Sequence, residues 1–232
     1  MSSLRVLSTL AVMGAMRDLT ARYEAETGSA VTADFAPTVA LLERLRAGET
    51  ADIAILTAQG IDDLTREEIV RQGTRTDIAL SFVGVAATAG APKPDISTVA
   101  AFRATLLAAR SVAYSKIGAS GIFFAGLIER LGIAAEVNAR AVIVPAGFTA
   151  ERLVSGEAEL AIQQISELMV VPGIEVVGPL PPEIQTVATF SAGLLTISAQ
   201  AEGAAALLRF LASPAIAATL RQAGLEPAAP QS

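Results

Sequence analysis

Along most of the chain, short runs in which nearly every position is apolar alternate with longer runs in which apolar positions return every three or four residues. The first pattern suits a strand buried on both faces, the second a helix that buries one side. LRVLST (4–9) predicts a first strand, and Ala11 to Thr27, with Val12, Ala15, Met16, Leu19 and Tyr23 apolar, predicts a helix that Gly28 stops. AVTADF (30–35) predicts a second strand, after which Pro37 and Thr38 open a helix carrying Leu41, Leu42 and Leu45 and closed by Gly48. ADIAIL (51–56) predicts a third, buried strand, and Ala58 to Val70 is again helical.

After Gly73 the pattern changes. DIALSFVGVAATAG (77–90) is extended without helical period and ends at Pro92 and Pro94. A second series follows: a helix near 98–109, strand SVAYS (111–115), a helix from about Ser120, and strand RAVIVP (140–145). A helix from Thr149 to Val154, strand ELAIQQ (159–164), and a strand with a Pro-rich loop (172–185) complete it. Another extended run (186–198) precedes two C-terminal helices broken at Pro214. This alternation predicts an α/β fold. Two series joined by two long extended segments predict two lobes, 1–80 plus 188–232 and 81–187, each a mixed sheet flanked by helices, with two hinge crossovers.

Composition narrows the chemistry. With 52% hydrophobic and 17% charged residues among 232, the chain has ample material for a core. A net charge of −6 leaves no basic stripe for phosphates, and the absence of Trp with only two Tyr disfavours base-stacking platforms, so no nucleic-acid partner is expected. Cys and His are both absent, which removes disulfides, thiolate nucleophiles, His triads and the usual zinc sites. Chemistry is left to carboxylates, Lys, Tyr, hydroxyls, amides and backbone N–H groups. GASG (118–121) is too short for a dinucleotide fingerprint and no phosphate loop occurs, so neither a cofactor nor a metal is expected. The N-terminus lacks the pattern of a secretory signal, and no run reaches the roughly 18 apolar residues of a membrane span. The expectation is a soluble, cytoplasmic protein without membrane insertion, or a periplasmic one if a signal has been trimmed away.

In an open parallel sheet, ligands gather beyond the carboxyl ends of strands. That singles out Ser8, Thr9, Leu10 and Ala11; Ala36, Pro37, Thr38 and Val39; Ser115 to Gly121; and Gln163, Gln164, Ser166 and Glu167. Thr9, Thr38 and Ser120 also read as ordinary helix caps. In the third stretch Ser115 and Ser120 offer hydroxyls, Gly118 and Gly121 allow close approach, and Lys116 adds positive charge beside a helix start, which points to an anion site. Of the adjacent amides only one can face a given cleft, Gln164 before Gln163. Glu167 also reads as a complement to a helix dipole. Ala146 and Gly147 lie in a turn whose N–H groups could face a ligand, whereas Arg44 and Arg46 read as solvated surface.

At these stretches the chain resembles the molybdate-binding type of bacterial solute-binding proteins, a class with the type II periplasmic-binding fold. The likeness runs through LSTLAVMGAMRDLTARYEAETG, FAPTVALLERLRAGETADIAIL, ASGIFFAGLIERLG, LVSGEAELAIQQISEL and FLASPAIAATLRQAGLEP, nearly the whole chain. It implies two lobes that close over an anion held by hydroxyls and backbone N–H groups. Where that family presents serines after the first two strands, this chain has Thr9-Leu10-Ala11 and Ala36-Pro37-Thr38-Val39, and Gln164 stands where the family has Tyr. Fewer hydroxyls and more amides favour a planar organic di- or tricarboxylate over a tetrahedral oxyanion such as molybdate. The fold family also includes an enzyme, aconitate isomerase, which moves a double bond within a tricarboxylate. For such a reaction the candidate proton-transfer groups here are Lys116, Glu167 and Tyr114. The partner expected is a small anion, with a homodimer left open, a transporter permease only if the protein is exported, and a ligand-sensing domain as a third reading.

Overall fold

The computed structural model describes residues 3–228. The chain divides into two compact units, Met1–Ser81 with Ala188–Ser232 (unit 1) and Phe82–Val187 (unit 2). Two strands, β4 (Thr76–Thr88) and β9 (Val187–Leu194), carry the backbone from one unit to the other and back.

In unit 1, β1 (Leu4–Thr9) lies parallel to β2 (Val31–Ala36), Leu4 opposite Val31, and to β3 (Ile53–Thr57), Val6 opposite Ile53. β9 pairs antiparallel with β3, from Ile53↔Leu194 to Thr57↔Phe190. The sheet is buried on both faces, so its strands read as unbroken apolar runs. Val6, Ile53 and Ile55 pack on one side with Met16 and Leu19 of α1 (Met13–Thr27). Leu7, Ala54 and Leu56 pack on the other with Leu41 and Leu45 of α2 (Thr38–Arg46) and Ile61 and Leu64 of α3 (Ala58–Arg66).

Unit 2 repeats the plan. β5 (Val112–Tyr114) is parallel to β6 (Ala141–Ile143) and β7 (Leu160–Gln164), while β4 runs antiparallel to β7 and to β8 (Ile174–Pro179). Its core joins Val83, Val85 and Ile162 to Phe102 and Leu106 of α4 (Val99–Ala108) and Phe124 and Leu127 of α5 (Ala119–Arg130). The short helices α6 (Ala134–Asn138), α7 (Glu151–Val154) and α8 (Ile165–Leu168) fill the connections. Back in unit 1, α9 (Ala201–Leu211) and α10 (Ala217–Gln222) flank Pro214, and β10 (Glu226–Pro227) pairs with Ala79 and Leu80 of β4.

Some boundaries differ from the sequence reading. The first helix opens with a 3-10 turn at Leu10–Val12 before α1 proper. The helix expected to reach Val70 ends at Arg66, because Glu68 takes a left-handed conformation (φ 60°) and Val70 bridges to Leu195. α6 and β10 were not anticipated, being too short to show a period. No single helix among the described residues is long and apolar enough to cross a membrane.

Candidate functional site

The structure places the candidate residues at the carboxyl ends of parallel strands, within each unit separately. In unit 1, Thr9 ends β1 in an extended conformation (φ −66°, ψ 153°) and leads into the 3-10 turn containing Leu10. Pro37 is the cap residue of α2, with Thr38 and Val39 in its first turn. Neither start carries a side-chain cap hydrogen bond. The hydroxyls of Thr9 and Thr38, on residues that are otherwise buried, have no hydrogen-bond partner among the described residues. By contrast, the helix after β3 is closed conventionally, Thr57 Oγ1 accepting from Gly60 N at 3.2 Å. Ordinary capping therefore accounts for Thr57 but not for Thr9 or Thr38.

In unit 2 the turn after β5 follows the same plan. Gly118 is the cap of α5 and offers no side chain, while buried Ser120 has a hydroxyl without a partner among the described residues. Ser115 is buried and its Oγ accepts from Ile117 N at 3.3 Å, shaping the turn, and Lys116 is exposed. Gly121 has a different task from the one its sequence suggests. A Cβ there would fall 1.5 Å from the carbonyl oxygen of Ser115, so the missing side chain lets the turn fold against its own helix rather than against a ligand.

The end of β7 separates the paired amides. Gln163 is committed: its Oε1 accepts from Thr149 N at 2.7 Å and its Nε2 donates to Gly147 O at 3.3 Å, holding the turn that includes exposed Ala146 and half-buried Gly147 (φ 83°). Gln164, 2% exposed, faces Glu167 in a capping box at the start of α8, yet its buried Oε1 completes no hydrogen bond of normal geometry. An unpaired buried amide atom costs about 1–3 kcal/mol. A terminal amide turned end for end offers N–H at the same place, so this group can either accept from or donate to a ligand. Glu167 is also buried, and its Oε2 accepts from Gln164 N at 3.2 Å, so it does serve the start of α8. Burial pushes its carboxyl up to about 7, against the opposing pull of the hydrogen bonds from Gln164 N and the Gln163 side chain.

Tyr114 does not join this group. It is fully buried in the core of unit 2, edge-on to Phe124 with ring centroids 5.1 Å apart, and its hydroxyl donates to Asn138 Oδ1 at 2.6 Å. Burial, with a smaller contribution from Glu129, raises the phenol above its usual range, so less phenolate is available to act as a base. Its hydroxyl is engaged inside the core rather than presented at a strand end, which argues against the proton-transfer role expected of it. Arg44 and Arg46 sit in ion pairs with Glu49 and Glu67 respectively. A residue the sequence did not flag is Thr149, fully buried, whose N–H and hydroxyl both serve Gln163. A cavity of about 410 Å³ in unit 2 lies at the opposite, amino ends of β5 and β7, against Thr105, Arg110, Glu159 and Leu160, so the open turns are not its walls.

The profile of a family described as bacterial extracellular solute-binding protein matches residues 4–226. An aconitate isomerase from a Pseudomonas species is 36% identical over 232 residues, covering 97% of this chain and 88% of that protein. Among solved structures, the periplasmic molybdate-binding protein of Azotobacter vinelandii superposes with a TM-score of 0.82 at 18% identity, covering 99% of this chain and 100% of that one. The sulfate-binding protein of Mycobacterium tuberculosis gives a TM-score of 0.76 at 15% identity, covering 99% and 88%. These likenesses show the type II periplasmic-binding fold. With a profile match across residues 4–226 and a relative at 36% identity, the chain belongs to the bacterial extracellular solute-binding protein family.

Proposed function

We propose that the protein binds an unsaturated organic tricarboxylate of the aconitate class and interconverts its double-bond isomers. The observation that carries this reading is Gln164: a buried terminal amide with an unpaired atom, at the end of a parallel strand. Leaving such a group unpaired is destabilising unless a ligand completes it. An amide suits a planar carboxyl, which accepts from its N–H2 or, when protonated, donates to its carbonyl. The likeness to an aconitate isomerase over 97% of the chain supports the same ligand class. The unpaired hydroxyls of Thr9 and Thr38, both in unit 1, favour a second reading, capture of a tetrahedral oxyanion without turnover.

Calorimetric titration with trans-aconitate, citrate, molybdate and sulfate separates the two, and proton NMR of trans-aconitate in deuterated buffer detects isomerisation. Binding of trans-aconitate with formation of the cis isomer is expected. Tight binding of molybdate or sulfate with no response to either tricarboxylate would replace the first reading by the second.

A further inference from the structure

We propose that the carboxyl of Glu167 carries the proton between the two carbons whose bonding changes in the isomerisation, an inference that rests on the function proposed above. Among the described residues two acidic side chains are buried, Asp52 and Glu167. Asp52 is saturated: it accepts from Arg5 N at 2.8 Å, Ser198 Oγ at 2.5 Å and Gln200 Nε2 at 3.3 Å, tying strands and loops of unit 1 together. Glu167 has no cation beside it among the described residues; its partners are the N–H of Gln164 and the side chain of Gln163.

Its surroundings are equally free of charge. β7 carries no ionisable residue, and on β8 the one ionisable residue, Glu175, is exposed and lies 4.0 Å from Lys93. The stretch of β4 within unit 2, which meets Ile165 of α8 at Gly84, has none. A carboxyl kept from water and from counter-charges holds its proton to near neutrality, where it can both take and return one. Glu167 lies three residues from the unpaired amide of Gln164, on the same strand-to-helix connection.

The step balances without any co-reactant. The Glu167 carboxylate takes a proton from the substrate's methylene carbon, and the C–H electron pair becomes a new C=C bond to the central carbon. The former π pair then takes the proton from Glu167 at the far carbon, so one C–H bond is broken, one is made and the double bond has moved. The Gln164 amide, donating to the adjoining carboxylate, would steady the charge that spreads onto it between the two transfers.

The test compares wild type, Glu167→Gln and Glu167→Asp with trans-aconitate as probe, measuring affinity by calorimetry, turnover by NMR and kcat/KM against pH. Expected are a loss of about 10³-fold in kcat for Glu167→Gln, with a dissociation constant within threefold of wild type. Glu167→Asp should keep part of the activity with a displaced acid limb. With substrate deuterated at the methylene, a single wild-type turnover should leave part of the deuterium on the far carbon. Turnover by Glu167→Gln within tenfold of wild type overturns the inference and leaves the proposed function standing. Should Glu167→Gln fail to fold, an acid limb unmoved in Glu167→Asp overturns it. Wild type that binds trans-aconitate without turnover or deuterium exchange overturns the proposed reaction and this inference together.

Discussion

Replacing Glu167 by Gln removes an ionisable proton from a buried position while keeping an oxygen that can accept from Gln164 N. The carboxyl is protonated up to about pH 7 in the folded chain and, from the ordinary value of 4.5, ionises much earlier when unfolded. Below pH 4.5 both states hold the proton and its burial carries no charge penalty. As the pH rises from there to 7 the unfolded chain releases the proton first, so stability falls by about 1.4 kcal/mol per pH unit. Above pH 7 the accumulated loss is about 3 kcal/mol and stops growing. Burial in an interior without counter-charge is the cause, and the glutamine variant is exempt from it.

Urea unfolding of both proteins from pH 4 to 8.5, followed by circular dichroism, measures the difference directly. Glu49, whose carboxyl Arg44 and then Arg5 hold down to about 2, acts in the opposite direction, stabilising above its unfolded value and losing that contribution as pH falls toward 2. It contributes equally to both proteins and cancels. The variant should gain on wild type steadily between pH 4.5 and 7 and hold a constant lead beyond. A difference that stays flat across that window would show that folding does not raise the proton affinity of Glu167. A difference that shrinks as the pH rises to 4.5 and is flat above it would show that the hydrogen bonds from Gln163 and Gln164 outweigh burial.

Three further substitutions test other parts of the structure. Gln164→Met replaces the unpaired amide by an apolar thioether of similar shape; unfolding should show about 1 kcal/mol of added stability, while calorimetry shows at least tenfold weaker binding of trans-aconitate. Gly121→Ala drives a methyl group into the Ser115 carbonyl and should destabilise by about 3 kcal/mol in thermal unfolding; an unchanged melting temperature would refute the close approach. Tyr114→Phe leaves Asn138 Oδ1 without its donor and should cost about 1–2 kcal/mol in urea unfolding, with kcat unchanged.

The plan of strands was legible in the sequence because strands buried on both faces leave a continuous apolar signature, as LRVLST and ADIAIL do. The turns at strand ends were legible for the same reason: once β1, β2, β5 and β7 are placed, Thr9, Thr38, Ser120 and Gln164 must lie at their carboxyl ends. What lay beyond reach depends on residues distant along the chain. Strand alternation says that Gln163 and Gln164 face opposite ways, but only Thr149, arriving from another turn, shows which one is occupied. The place of Tyr114 depends on Asn138, 24 residues further on, and the burial of Glu167 on strands that a local pattern cannot bring together. Gly121 looked like room for a guest because its real neighbour, the Ser115 carbonyl, is a backbone atom and leaves no trace in residue type.

The bare starts of α2 and α5 have a practical corollary for protein engineering. A programme that sought thermal robustness by installing Ser or Asp at Pro37 and Gly118, or by filling the Gln164 position with hydrocarbon, would find each change rewarded in melting temperature. On the reading proposed above, each reward would be matched by weaker ligand binding, so a ranking of easily gained robustness would name the positions to examine next by titration.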